Sequence, residues 1–277
     1  MGIKNKLLYI FVAFSLSLTS VSLLQSCGAN IFSESDDVAI GRDVEIQIKN
    51  DPKQFPILTN KPEITNYVSN LGKTILNSSP LIQYKKVFPY EFKVINDTIV
   101  NAFCTPGGFI YVYTGLIKFL DNEAALAGVI GHEIAHAERR HMTQRLTAYY
   151  GINTVLGLIL GNNPGIGAQI AANLFVGLGF LANSRSDEIE ADNYSIRYLT
   201  STGWYPGAIV FFFDKIREKQ KRDGSTPGGL ERLLSTHPLP QDRIDNVKSQ
   251  LSILKINPDP TKGLNITEYQ RIKSLLP

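Results

Sequence analysis

Cysteine, methionine, tryptophan and histidine are all scarce in this chain: two, two, one and four among 277 residues. Two cysteines cannot build a disulfide framework or a four-cysteine zinc site. An excess of one charge is also missing. The formal balance is +3, too weak to argue for nucleic acid as a partner. No Gly-X-Y period, low-complexity tract or internal repeat is present, which excludes fibres and solenoids. The hydrophobic fraction, 43%, excludes a disordered chain and is ample for the core of one catalytic-size domain. Any chemistry that needs imidazole must come from His132, His136, His141 and His237.

What is present begins with a targeting segment. Lys4 and Lys6 precede an apolar run over residues 7–18 and a Ser-rich stretch to Leu24. A short basic region before about a dozen apolar residues is the pattern of a secretory signal. The run ends Leu24-Gln25-Ser26-Cys27, which resembles a bacterial lipobox apart from Gln25. That resemblance implies cleavage after residue 26 and lipid on Cys27. Gly28 in place of aspartate after the cysteine implies the outer membrane. The alternative is an uncleaved membrane anchor; either way the remainder is exported and tethered. Removing residues 1–26 leaves 26 basic and 25 acidic residues, so the apparent basicity belonged mostly to the signal.

Residues 27–35 read as a polar tether, 36–255 as one domain and 256–277 as a peripheral tail. Helices are expected over residues 36–49 and 63–76, the latter from Ile64, Val68, Leu71 and Ile75 recurring at three and four. Three extended runs follow, 90–95, 99–103 and 109–114, split by Asn96-Asp97 and by Thr105-Pro106-Gly107-Gly108. Together they suggest a small antiparallel meander. Residues 121–141 form a helix capped by Asp121 or Asn122, with Leu126, Ile130 and Ile134 as its apolar stripe. Gly128 and Gly131 each weaken it by roughly 1 kcal/mol, tolerable if something packs closely there. The Gly-, Ala- and Leu-rich stretch 152–182 could nearly span a bilayer, but Gln169 and Asn173 favour a packed helix. Further helices are expected at 184–199, with Ser184 and Asp187 as a capping box, at 206–219 and at 239–254.

The chemistry is carried by His132-Glu133-Ile134-Ala135-His136. Residues four apart on a helix lie about 40° apart around the axis, so two imidazoles there can aim at one ion, and neutral histidine is a common zinc ligand. Glu133 sits about 100° round from His132. Its carboxylate can reach a water on the metal and take its proton as that water attacks a carbonyl. A metzincin would need glycine and histidine three and six residues beyond His136; Arg139 and Met142 stand there. His141, about 140° off the metal-facing line, reads as a cation at the helix C-terminus. The third ligand should be an acid on a second helix. Glu188 and Asp192 share a face and Glu190 points roughly opposite. One of the pair can ligate while the other hydrogen-bonds a ligand histidine, and the face argument does not order them.

Four segments carry a family resemblance. Ser184-Arg185-Ser186-Asp187-Glu188-Ile189-Glu190-Ala191-Asp192 resembles the Ser-Arg-x-x-Glu-x-x-Ala-Asp segment of the CAAX-endopeptidase class of gluzincin metalloproteases. Asn101-Ala102-Phe103, Pro106-Gly107-Gly108 and Thr114-Gly115-Leu116 resemble what that family carries before its zinc helix. The family includes prenyl-protein, membrane heat-shock and mitochondrial Oma-type proteases, and the likeness is nearest to its BepA- and LoiP-like periplasmic lipoproteins. It implies an α+β, mainly helical zincin-like fold with a small antiparallel sheet beside the zinc helix. It implies one zinc ion per chain on His132, His136 and Glu188, with Glu133 as base and Asp192 orienting a ligand. A strand containing Ile110, Tyr111 and Val112, with Asn101 nearby, would pair with an extended peptide. Cys104 reads as a packing thiol.

Ser235-Thr236-His237-Pro238-Leu239-Pro240-Gln241-Asp242-Arg243 resembles a loop that folds over the active site in the same branch. It implies that His237 is a self-inhibiting fourth ligand or a transition-state group, with Arg243 assisting. The expected function is a lipid-anchored zinc endopeptidase of the bacterial envelope, cleaving unfolded or misassembled proteins, with the envelope assembly machinery as a candidate partner. The competitors are a lipid-anchored chaperone that rarely cuts and an integral-membrane prenyl-type protease spanning through 152–182.

Overall fold

The computed structural model describes residues 29–151, 183–223, 230–238, 241–256 and 259–277. The expected export signal, Cys27, the stretch 152–182 and residues 224–229 lie outside the described residues. Among the described residues no helix is long and apolar enough to cross a membrane.

Helix α1 (Glu34–Asn50) opens on a capping box in which Ser33 and Asp36 satisfy each other's backbone N–H, with Glu34, Asp36 and Asp37 in its first turn. Helix α2 (Pro62–Ser78) starts on proline at its first turn and buries Ile64, Val68, Leu71 and Ile75 along the expected stripe. Strands β1 (Glu91–Ile95), β2 (Ala102–Thr105) and β3 (Phe109–Tyr113) form one sheet in the order β1-β3-β2. The helices after it are α3 (Thr114–Phe119), α4 (Glu123–Glu138), α5 (His141–Tyr150), α6 (Arg185–Leu199), α7 (Ile209–Asp223), α8 (Glu231–Thr236), α9 (Gln241–Ile253) and α10 (Ile266–Ser274).

The sheet corrects the expected antiparallel meander. β3 pairs antiparallel with β2 but parallel with β1. The cause lies in the connection at 96–101. Thr114 Oγ1 and Gly115 N both donate to Asp97 O, at 3.0 and 2.8 Å, which draws this loop across the end of β3 and sets β2 on the far side. The β2–β3 turn needs φ of +78° at Gly107 and +84° at Gly108, a conformation that glycine takes without strain.

Helices cover both faces of the sheet. Phe109, Tyr111 and Tyr113 pack with Val44 and Ile48 of α1, while Ile110 and Val112 face the larger core with α2, α4, α6 and α7. Helix α4 is buried at all sixteen positions. A Cβ on Gly128 would come within 2.8 Å of Ile209 N, so glycine there admits the start of α7, which resolves the cost noted from sequence. Residues 259–277 are not peripheral. Tyr269 is fully buried, and its hydroxyl donates to Ile117 O at 2.7 Å. Leu264 O accepts from Glu123 N at 3.0 Å. The amino-terminal strap is docked as firmly: Asn30 Nδ2 donates to Thr143 Oγ1 at 2.8 Å, Phe32 O accepts from Arg140, and Arg140 Nε donates to Asp37 Oδ2 at 2.8 Å.

Candidate metal centre and active site

Helix α4 presents His132, Glu133 and His136, and α6 crosses it at Gly128–Gly131, where Ser195 Oγ donates to Gly128 O at 2.7 Å. That crossing brings Glu188, buried and on the first turn of α6, opposite the two imidazoles. His132 Nε2 and His136 Nε2 lie 2.9 Å apart, and Glu188 approaches them at 3.5 and 3.2 Å. His237, just after α8, places Nδ1 3.0 Å from Glu188 Oε1 and Nε2 3.7 Å from Glu133 Oε1. Ligand atoms of His132, His136, Glu188 and His237 all fall within 4.8 Å of one another.

This donor set fits zinc. A tetrahedral ion with ligands about 2.1 Å away has ligand–ligand edges of about 3.4 Å, and the separations above bracket that value. The outer nitrogen of each imidazole is already engaged, so both Nε2 atoms are turned inward. His132 Nδ1 donates to Asp192 Oδ1 at 2.8 Å. His136 Nδ1 meets His141 Nδ1 at 2.7 Å.

Electrostatics hold Glu188 charged. Burial opposes its ionisation, yet the neighbouring His237 and His132 keep it well below the usual carboxylate range. Burial also works against a charged His132, but Glu188 and Asp192 outweigh it and push His132 up to about 10. Burial and His132 together hold His136 well below its ordinary value. Arg243 closes the set. It is 2% exposed and grips Asp192 through Nε and Nη2, both at 2.7 Å, with Nη1 2.6 Å from Glu188 Oε2. The same Nη1 donates to Pro238 O at 3.0 Å, and the guanidinium stacks 4.6 Å from the Phe213 ring centre.

Other placements differ from expectation. The helix predicted to run to His141 ends at Glu138. Arg140 takes φ +57°, and His141 opens α5 instead of closing α4. His141 is therefore a buried group at a helix N-terminus, touching His136 and, at 3.0 Å, Glu190 Oε2. Glu190 does not point away: its other oxygen accepts from Arg139 Nε at 2.8 Å. Ile110, Tyr111 and Val112, expected to pair with a peptide, occupy the central strand with partners on both sides and are fully buried. Of the two outer strands, β1 is bridged by Ile57 at Ile95. Among the described residues, the outer edge of β2, beside α4 and directly after Asn101, carries no further strand. Burial and Glu133 push the Cys104 thiol well up, leaving it a packing group.

Asn183 went unnoticed in the sequence. Its Nδ2 lies 2.5 Å from Glu188 Oε1 and 3.2 Å from both His136 Nε2 and His237 Nδ1, while its Oδ1 accepts from Arg145. The only sequence cue is its place next to the Ser184 cap. Beside the metal ligands lies a small cavity of about 20 Å³. Val129, Ile209, Phe212, Phe213 and Ile216 line it, with His132 and Glu133 at its mouth.

Comparison with known proteins agrees with this geometry. Residues 65–251 match the model of peptidase family M48. The beta-barrel assembly-enhancing protease of Escherichia coli K12 is 26% identical over 207 residues, 72% of this chain and 41% of that protein. A putative beta-barrel assembly-enhancing protease of Vibrio cholerae is 30% identical over 200 residues, 69% of this chain and 40% of that protein. The mitochondrial metalloendopeptidase OMA1 of Arabidopsis thaliana is 38% identical over 151 residues, 54% of this chain and 29% of that protein. The chain thus spans about two fifths of the length of its bacterial relatives.

Proposed function

The chain belongs to peptidase family M48, and on that premise we propose that it is a zinc-dependent endopeptidase cutting extended segments of unfolded or misassembled bacterial envelope proteins. The observation that carries this reading is the convergence of His132, His136 and Glu188 on one point with Glu133 beside it. Zinc held there supplies a Lewis acid and acidifies a water.

Glu133, 2% exposed, takes the proton of the attacking water and returns it to the leaving amine, acting as base and then acid. Asp192 fixes the tautomer of His132, and Arg243 holds Asp192 and Glu188 aligned. A substrate strand adds to the outer edge of β2, with one apolar side chain facing the apolar lining formed by Phe212 and Phe213. That preference suits unfolded chains, whose apolar residues are exposed.

His237 occupies the side of the site left open by the three ligands and either blocks substrate or stabilises the transition state. Cys27 carries the lipid, and the domain faces the periplasm from the outer membrane, near the assembly machinery. The names of the bacterial relatives support this placement.

The test is metal analysis and casein cleavage by the purified full chain beside its Glu133→Gln variant. Both should bind one zinc ion, and only the parent should cut. Cleavage by the variant, or a parent that binds no zinc, would overturn the reading.

A further inference from the structure

One buried imidazole has no part in the chemistry above. His141 is 1% exposed and lies across the left-handed turn at Arg140 from His136. The two rings stand 4.9 Å apart and nearly perpendicular, at 73°. Contact runs on both sides of His141: Nδ1 to His136 Nδ1 at 2.7 Å, and Nε2 to Glu190 Oε2 at 3.0 Å.

Counting hydrogens leaves one arrangement. To ligate, His136 must turn the lone pair of Nε2 toward the metal position it shares with Glu188, so its hydrogen sits on Nδ1. That N–H faces His141 Nδ1, which must accept it, so His141 carries its own hydrogen on Nε2. Glu190 Oε2 accepts that second bond. Glu190 is in turn held by Arg139 Nε at 2.8 Å. Every donor has an acceptor and the chain runs one way.

We propose that His141 and Glu190 are positioning residues for metal capture. The His136–His141–Glu190 chain sets the tautomer and aim of His136, as Asp192 does directly for His132. One helix then serves the whole centre. α6 gives Glu188 to the metal, Asp192 to one ligand histidine and Glu190, through His141, to the other. The residues that fix a metal-bound histidine govern affinity because a ligand free to rotate or to change tautomer binds less often. This inference rests on the zinc reading of the centre.

The experiment measures the zinc dissociation constant of the full chain by competition with a chelator, for the parent, His141→Leu, His141→Gln and Glu190→Ala. The visible spectrum of each Co²⁺-loaded form and the unfolding curve of each zinc-free form accompany it. His141→Leu should weaken zinc about 10- to 100-fold and alter the cobalt spectrum. Glu190→Ala should weaken it in the same direction. His141→Gln should stay close to the parent, because glutamine can accept from His136 and donate to Glu190.

A purely packing role would shift the zinc-free unfolding curve, leave the dissociation constant alone and show no rescue by glutamine. If His141→Leu does not fold, Glu190→Ala decides, since that side chain is 38% exposed. Parent-like zinc affinity in both His141→Leu and Glu190→Ala overturns the inference alone. A parent that binds no zinc overturns the reading beneath it.

Discussion

Replacing Arg243 by methionine removes the guanidinium that bridges Asp192 and Glu188 while keeping most of the side-chain volume. Two carboxylates that are fully buried then lose three contacts at 2.6 to 2.7 Å. Charge-assisted hydrogen bonds contribute about 1.5–3 kcal/mol each. Their plain sum overstates the loss, because His132 remains on Asp192 and His237 on Glu188. Breaking one side of a buried ion pair costs about 3–5 kcal/mol, and that is the expected fall in unfolding free energy. That loss runs from about a fifth to the whole of the roughly 5–15 kcal/mol that a domain possesses. Urea unfolding of the zinc-free chain measures it. Arg243→Lys should recover less than half, since an ammonium cannot bridge both carboxylates as the guanidinium does. Adding Asp192→Asn to Arg243→Met should restore part of the loss, because the cost is that of an unpaired charge. A fall below about 1 kcal/mol, or losses that simply add in the double variant, would refute the electrostatic account.

Three further outcomes are expected. His237→Ala should retain zinc and change peptide cleavage. Turnover rises if the imidazole blocks the site and falls on the order of 10²-fold if it stabilises the transition state, and unchanged turnover removes His237 from the mechanism. In the metal-free protein His132, raised to about 10, holds a proton at neutral pH that zinc must displace. Apparent zinc affinity should therefore strengthen about tenfold per pH unit between pH 7 and 9, and calorimetry should record about one proton released. The same shift stabilises the metal-free fold below the unfolded histidine value near 6.5, and that contribution fades as pH rises through about 10. A pH-independent affinity would contradict it. Gly128→Ala should lower stability by about 1–3 kcal/mol through its clash at Ile209 N, despite alanine's helix advantage of about 1 kcal/mol. A raised melting temperature would show that α7 can yield there.

The sequence made the helices legible wherever local chemistry decides them. The Ser184 and Asp187 capping box, the apolar stripe of α2 and the four-residue spacing of His132 and His136 all reappear in the structure. The face shared by Glu188 and Asp192 also survives, with the first toward both imidazoles and the second on His132 Nδ1. What escaped depends on contacts between distant segments. The order of the strands is set by Thr114 and Gly115 reaching back to Asp97, which no strand pattern encodes. The break at Arg140 looks helical in its residues. The strap reverses that preference, since Asp37 and Phe32 O hold the guanidinium from over a hundred residues away. With the break unseen, His141 was given the wrong end of the wrong helix. Asn183 precedes α6 and carries no periodic signal, so only the fold reveals that its amide reaches three groups of the centre.

The docking of Asn30 on Thr143 would set a working height for the domain if Cys27 carries lipid as proposed. Cys27 and Asn30 are three residue steps apart, and a fully extended chain advances at most about 3.6 Å per residue. With lipid on Cys27, the slack between membrane and domain would be roughly 11 Å, too little for the domain to roam on a leash. Such a domain would patrol a thin sheet of space above the bilayer. Its substrates would be selected first by altitude, and a chain free in the open periplasm would be out of range whatever its sequence.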